Sequence, residues 1–184
     1  MASELQVTTL KGNPTGANAN QILVPSGQTL HAPGHVVQTV TYAFTDVSTI
    51  TTYGTTYTDV TGATITITPK HSNSKILIMP NIVFYMSISG TYVYGGFRLL
   101  RGSSTVIAPT NSMDGNGSYD YGTGFPSSGA IQFSSRHCGH HIDTPATTSA
   151  TTYKFQGINY ASGRTFRINN AGGSSSIVAM EIAQ

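Results

Sequence analysis

The sequence has no tryptophan, a single cysteine and little charge: Lys and Arg number nine, Asp and Glu seven, so charged residues make up 9% of 184 positions. Each scarcity excludes something. With Cys138 alone, no intrachain disulfide can form, and stability must come from packing, hydrogen bonds or association. A soluble domain ordinarily carries about 25% charged residues, so here Thr, Ser, Asn and Gly must keep the surface wet. The formal net charge is only +2, and Lys11, Lys70, Lys75, Arg98, Arg101, Arg136, Lys154, Arg164 and Arg167 never form a basic run, which argues against a nucleic-acid partner. The longest apolar run, residues 76–88, is too short for a membrane helix and is interrupted by Pro80 and Asn81. The opening MASELQVTTLKG lacks a basic stretch followed by an apolar one, so neither a signal peptide nor membrane insertion is expected.

Helical periodicity is missing too, and the dominant period is two. In GATITITPK, Ile65 and Ile67 alternate with Thr64, Thr66 and Thr68, the pattern of a half-buried strand. HVVQTVTYAF, residues 35–44, is built of strand-prone types. SKILIMPNIVFYMSIS reads as a long strand covered on both faces, with Pro80 at a bulge, bend or edge. Further strands are expected at TYVYGGFRLLRG, STVIA, AIQFSSRHCGHHID, TTYKFQGINY, RTFRIN and SSIVAMEIA, separated by Gly, Asn, Asp, Ser and Pro turns. Many short strands without βαβ alternation predict an all-β antiparallel sandwich or jelly roll.

Two regions depart from this pattern. Residues 1–34 hold GNPTGANANQ and two apolar islands, and cannot bury enough surface to offset an ordering cost of roughly 1–2 kcal/mol per residue. They are expected to form an extended arm that leans on another chain through Ile22, Leu23, Val24 and Leu30, with residues 35–184 forming the sandwich. Residues 108–129 read as a loop rich in Gly and Ser. Its Tyr119, Tyr121 and Phe125 suit recognition of a ligand or receptor such as a host glycan, or else tuck back onto the sandwich.

The densest chemistry is RHCGHHID. His137, Cys138, His140, His141 and Asp143 lie within seven residues, donors that zinc, nickel or iron would accept. Strand neighbours point to opposite faces, so His140 and His141 converge on one ion only through a bulge at Gly139. No metal or other cofactor is therefore expected, and the three histidines are read either as simple surface residues or, preferentially, as a cluster at a subunit or sheet face. There, protonation near their ordinary pKa of about 6.5 would loosen assembly.

Enzymatic activity is not expected. Asp114 and Asp120 form the only near pair of acids, and there is no GxSxG elbow, P-loop or dinucleotide fingerprint. Glu181 is expected to face solvent, or, if buried, to pair with Arg98 or Arg101. The hydroxyl-rich stretch TPATTSATTYKFQ, residues 144–156, reads as a corner: Asp143 accepts a turn hydrogen bond, Pro145 sets φ, and Tyr153 and Phe155 then open a strand with an aromatic face.

Five blocks carry a family resemblance: APGHVVQTVTYAF, TYTDVTGATITITPKHSNSKILIM, FRLLRGSSTVI, DTPATTSATTYKFQ and SSIVAMEIA. In content and order they resemble small phage virion proteins that serve as tail-fibre or appendage modules. The likeness spans residues 32–184 and is looser before that. It implies a β-sandwich presented as a homotrimer and brings no catalytic residues. The resulting expectation is a virion protein with itself and other tail, neck or capsid proteins as partners, attached by its arm and meeting the host surface. A head decoration protein and a lectin-like carbohydrate-binding module are the alternatives.

Overall fold

The computed structural model describes Thr9, Gly12, residues 14–16, and residues 32–184 apart from 52–55, 89–91, 104, 108–117, 124–130, 160–161 and 163–164. The chain divides into two compact units, Met1–His31 and Ala32–Gln184. Ile22, Leu23, Val24 and Leu30 of the first lie outside the described residues. Residues 32–34, grouped with the arm on composition, adjoin the end of the chain: Gly34 N donates to Ala183 O at 2.8 Å, and Ala183 N donates to O of the next residue, His35, at 2.9 Å.

Among the described residues there are twelve strands: β1 (Val36–Phe44), β2 (Ser48–Ile50), β3 (Thr58–Ile67), β4 (Lys75–Ile88), β5 (Tyr92–Arg101), β6 (Thr105–Val106), β7 (Ser118–Thr123), β8 (Ile131–Cys138), β9 (His141–Asp143), β10 (Thr151–Asn159), β11 (Thr165–Ile168) and β12 (Ser175–Ile182). The only helical piece among them is a 3-10 turn, Asn170–Gly172. Every recorded pairing is antiparallel, and the strands form a seven-stranded and a five-stranded sheet. The fold is therefore an all-β antiparallel sandwich.

β4 is the spine of the larger sheet. On one side it pairs with β12 and then β11; on the other, with β9 and then β8. β1 lies outside β12, and β2 outside β11. The smaller sheet runs β3, β10, β5, with β7 and β6 in succession along the far edge of β5.

Pro80 sits inside this central strand, opposite Ile177 of β12, not at an edge. It is tolerated because the ladder on the other side is interrupted there: Ile78 pairs with His141 and Asn81 with Cys138, leaving Gly139 and His140 as a break between β9 and β8. β4 also differs from expectation in burial. Ile76, Ile78, Ile82, Phe84 and Met86 are within 1% of full burial, whereas the alternate Leu77, Met79, Val83 and Tyr85 are only half-buried.

The core lies between the sheets. Ile65, Ile67, Phe97, Leu99, Tyr153 and Phe155 of the smaller sheet meet Ile78, Phe84, Phe166 and Ile177 of the larger. Phe84, Phe97 and Phe166 form a ring cluster with centroids 5.2–6.0 Å apart, tilted or edge-on as aromatic quadrupoles prefer. Gly157 of β10 faces this cluster: a Cβ there would stand 2.3 Å from Ile50 Cδ1 and 3.2 Å from the Phe166 ring, so any larger residue would require Ile50 to move. Gly62, with φ +78°, makes the bulge in β3 that shifts its register against β10 from Thr64 to Asp59.

Candidate functional site

One rung crosses the larger sheet at its lower end: Gln38 of β1, Glu181 of β12, Ile76 of β4 and Asp143 of β9. Alternation turns Glu181 inward, because Ile177 and Ala179 on the same strand must face the core. Glu181 is fully buried, contrary to its expected exposure, and among the described residues neither Arg98 nor Arg101 pairs with it: Arg98 is held by Gln156 and Arg101 by Asp143. The partners of Glu181 are neutral. Lys70 N donates to Oε1 at 2.8 Å, His71 N at 3.1 Å and Ser74 Oγ at 2.8 Å, while Gln38 Nε2 donates to Oε2 at 2.6 Å. Burial pushes the Glu181 pKa up, and the four donors outweigh it, holding the carboxyl below its ordinary 4.5. The carboxylate thereby fixes the turn after β3 onto the last strand and the first.

Asp143 sits two strands away on the same rung and joins the two sheets. Arg101 Nη1 of β5 donates to Oδ1 at 2.8 Å and Oδ2 at 2.9 Å, and the Tyr153 hydroxyl of β10 donates to Oδ2 at 2.8 Å. Tyr153 and Arg101 are themselves cross-strand partners. Burial above all, then the bond to Asp143 and its charge, push the Tyr153 phenol well above its ordinary pKa of 10. Asp143 thus serves as an inter-sheet clamp in place of the expected turn acceptor. The corner that follows is capped locally: Ser149 N donates to Thr147 Oγ1 at 3.0 Å and Thr151 Oγ1 to Ser149 O at 3.1 Å. Tyr153 and Phe155 do open the next strand with an aromatic, buried face.

A third polar hub is Asn169, buried with φ +55°. Its Nδ2 donates to Phe44 O and Asp46 O, its Oδ1 accepts from Ser175 Oγ, and its N donates to Val83 O. On the outer face of the smaller sheet, Lys154 Nζ and Gln156 Nε2 reach Asp59 at 2.9 and 2.5 Å, Arg98 Nε donates to Gln156 at 2.7 Å, and the Arg98 guanidinium lies 4.1 Å over the Tyr57 ring.

The structure separates the three histidines. His140 is exposed, while His137 and His141 point inward and are 4% and 8% exposed. His137 packs on Phe97 with centroids 4.9 Å apart, and both imidazoles flank Phe155 at 6.4 and 6.5 Å. Two of the three therefore lie on a sheet face between the layers, and the third on the surface. Among the described residues, no three His, Cys, Asp or Glu side chains stand together as a metal site.

Tyr119 and Tyr121 fall on β7, opposite Gly96 and Tyr94 of β5, in a segment read from sequence as loop. Phe125 lies outside the described residues, as does Asp114, and Asp120 pairs through its backbone with Gly95. Neither the Asn169 hub nor the donors around Glu181 carries a local motif, and their sequence separations of 6–125 and 107–143 residues explain why.

The outward face of the larger sheet is apolar where β9, β4 and β12 adjoin. Ile142, 56% exposed, lies beside Leu77, and Leu77 beside Met180; Met79 lies beside Val178 in the row above. These two rows hold no charged residue.

No known protein family and no curated protein matches the chain. Among solved structures it is similar to a chain of infectious bursal disease virus Gx strain, with TM-score 0.39 and 15% identity over 80% of this chain and 33% of that one. A chain of the Gt strain gives TM-score 0.37 and 13% identity over 96% and 47%. One from T=1 particles derived from the same virus gives 0.32 and 12% over 91% and 42%. The chain thus spans a third to about half of the structures it matches. At these TM-scores the fold assignment rests on the chain's own strand order.

Proposed function

We propose that this chain is a non-enzymatic structural subunit of a virus particle: a homotrimeric tail-fibre or appendage component that attaches through its N-terminal residues and presents the sandwich outward. The observation that carries this reading is the apolar outward face of the larger sheet, built from Ile142, Leu77, Met180, Met79 and Val178. An uncharged patch on a sheet face favours burial against a protein surface. Three of the described carboxylates, Asp59, Asp143 and Glu181, are engaged by donors of the sandwich itself, which suits a scaffold better than a catalyst. The resemblance of residues 32–184 to small phage virion proteins supplies the virion context, and its blocks fall on β1, β3–β4, β5–β6, the corner before β10, and β12.

Labelling the protein on intact particles tests this. Label at tail or appendage positions supports the reading. A regular lattice over the shell favours a decoration protein, and absence from particles overturns the virion role. A glycan screen with Tyr119→Ala and Tyr121→Ala variants addresses the lectin-like alternative: binding by free monomer, lost in both variants, would favour that alternative.

A further inference from the structure

We propose that His141, with His137 beside it, makes the β8–β9 edge of the sandwich an acid-sensitive seam, which parts from the smaller sheet when the buried imidazole takes a proton. The seam is geometrically weak already. β8 and β9 are separated at Gly139 and His140, opposite Pro80, so the two short strands hold to β4 by separate ladders. Among the described residues, they are fastened to the other sheet by the packing of His137 and His141 on Phe97 and Phe155, and by the Asp143 clamp.

The surroundings of His141 give a cation no support. Its Nε2 is buried and accepts no hydrogen bond among the described residues. From β4 it faces Ile78; from β10, Phe155, and beyond it Tyr153, whose hydroxyl is given to Asp143. The charges that act on His141 come from His137 and His140 on its own stretch of chain, and the cation Arg101 of β5 is held on Asp143 two residues further along. The one carboxylate near, Asp143, already binds Arg101 and Tyr153; Glu181 lies two strands away on that rung and is saturated by its own donors. Burial first, then the charges of His137 and His140, lower the His141 pKa from 6.5 to about 4.

The sign follows from proton binding. An opened seam presents an ordinary imidazole, which takes a proton below about 6.5, while the closed seam resists until about 4. Closure is therefore complete above the upper value and weakens as pH falls between the two. From pH 7 to pH 5 the opening equilibrium should rise roughly 25-fold, in a range where ordinary carboxylates stay charged. The effect is on the fold of one subunit, in place of the loosened assembly that clustering of the histidines suggested.

Amide hydrogen exchange of the full chain, corrected for intrinsic rates, tests this at pH 7 and pH 5. Residues 137–143 should lose protection by that factor while β3 does not, and His141→Gln, which cannot be protonated, should abolish the difference. A direct titration of the wild-type imidazole by NMR keeps the proposal falsifiable if that variant fails to fold: a midpoint near 4 supports it, and one at or above 6.5 overturns it. Equal protection at the two pH values, or the same loss in His141→Gln, would also overturn it.

Discussion

Glu181 and Asp143 stand on one rung of the same sheet, on either side of Ile76, and are satisfied in opposite ways. Glu181 meets only neutral donors, two of them backbone, and holds a turn and the edge strand β1 to β12. Asp143 meets a guanidinium and a phenol from the opposite sheet and holds the two layers together. A fully buried carboxylate survives in a sandwich when several fixed dipoles converge on it, with no counter-ion required. A less buried one near the edge can use a long cationic side chain, because Arg101 keeps part of its side chain in water, 30% exposed against 10% for Asp143.

This contrast orders the expected effects of substitution. Glu181→Ala should be the most damaging, by about 3 kcal/mol or more in urea unfolding, because it removes the acceptor of two backbone N–H groups, the buried Ser74 hydroxyl and the Gln38 amide together. Asp143→Asn should cost about 2 kcal/mol, since the charge-assisted bonds to Arg101 weaken but the shape is kept. Tyr153→Phe, leaving Arg101 in place, should cost about 1 kcal/mol. Asp59→Asn should change stability by no more than about 0.5 kcal/mol, because its side chain is 58% exposed and its pair with Lys154 is screened. If Asp143→Asn proved worse than Glu181→Ala, the inter-sheet clamp would be the more important of the two.

Acid sharpens the same comparison. Hydrogen bonds hold the folded Glu181 pKa below 4.5, so its contribution is complete above that value and is lost as pH falls through the lowered one. The urea midpoint of wild type should therefore drop below about pH 4 more steeply than that of Glu181→Gln, whose buried amide has no proton to gain.

The strands were legible because period two is a local signal: Ile65 and Ile67 against their threonines, or Ile177, Ala179 and Glu181 against Val178 and Met180, declare a face wherever they occur. β7 was not, because Gly, Ser and Asp surround its tyrosines and pairing to β5, not propensity, makes it a strand. Glu181 was expected to face solvent because an acid on a core face is costly, and the donors that offset the cost lie 107–143 residues away. The histidines were visible as a cluster, and alternation alone sets His137 and His141 on one face and His140 on the other, but which of the two faces is the core follows from the pairing with β4.

The claim that the sandwich is an assembling subunit is tested most directly by solution mass. Light scattering of the full chain beside Ile142→Lys, a substitution at an exposed position on the apolar face, should give three times the mass of one chain for the wild type and a smaller species for the variant. A wild type that is folded and monomeric at every concentration, or a variant with unchanged trimer mass, would contradict the part given to that face.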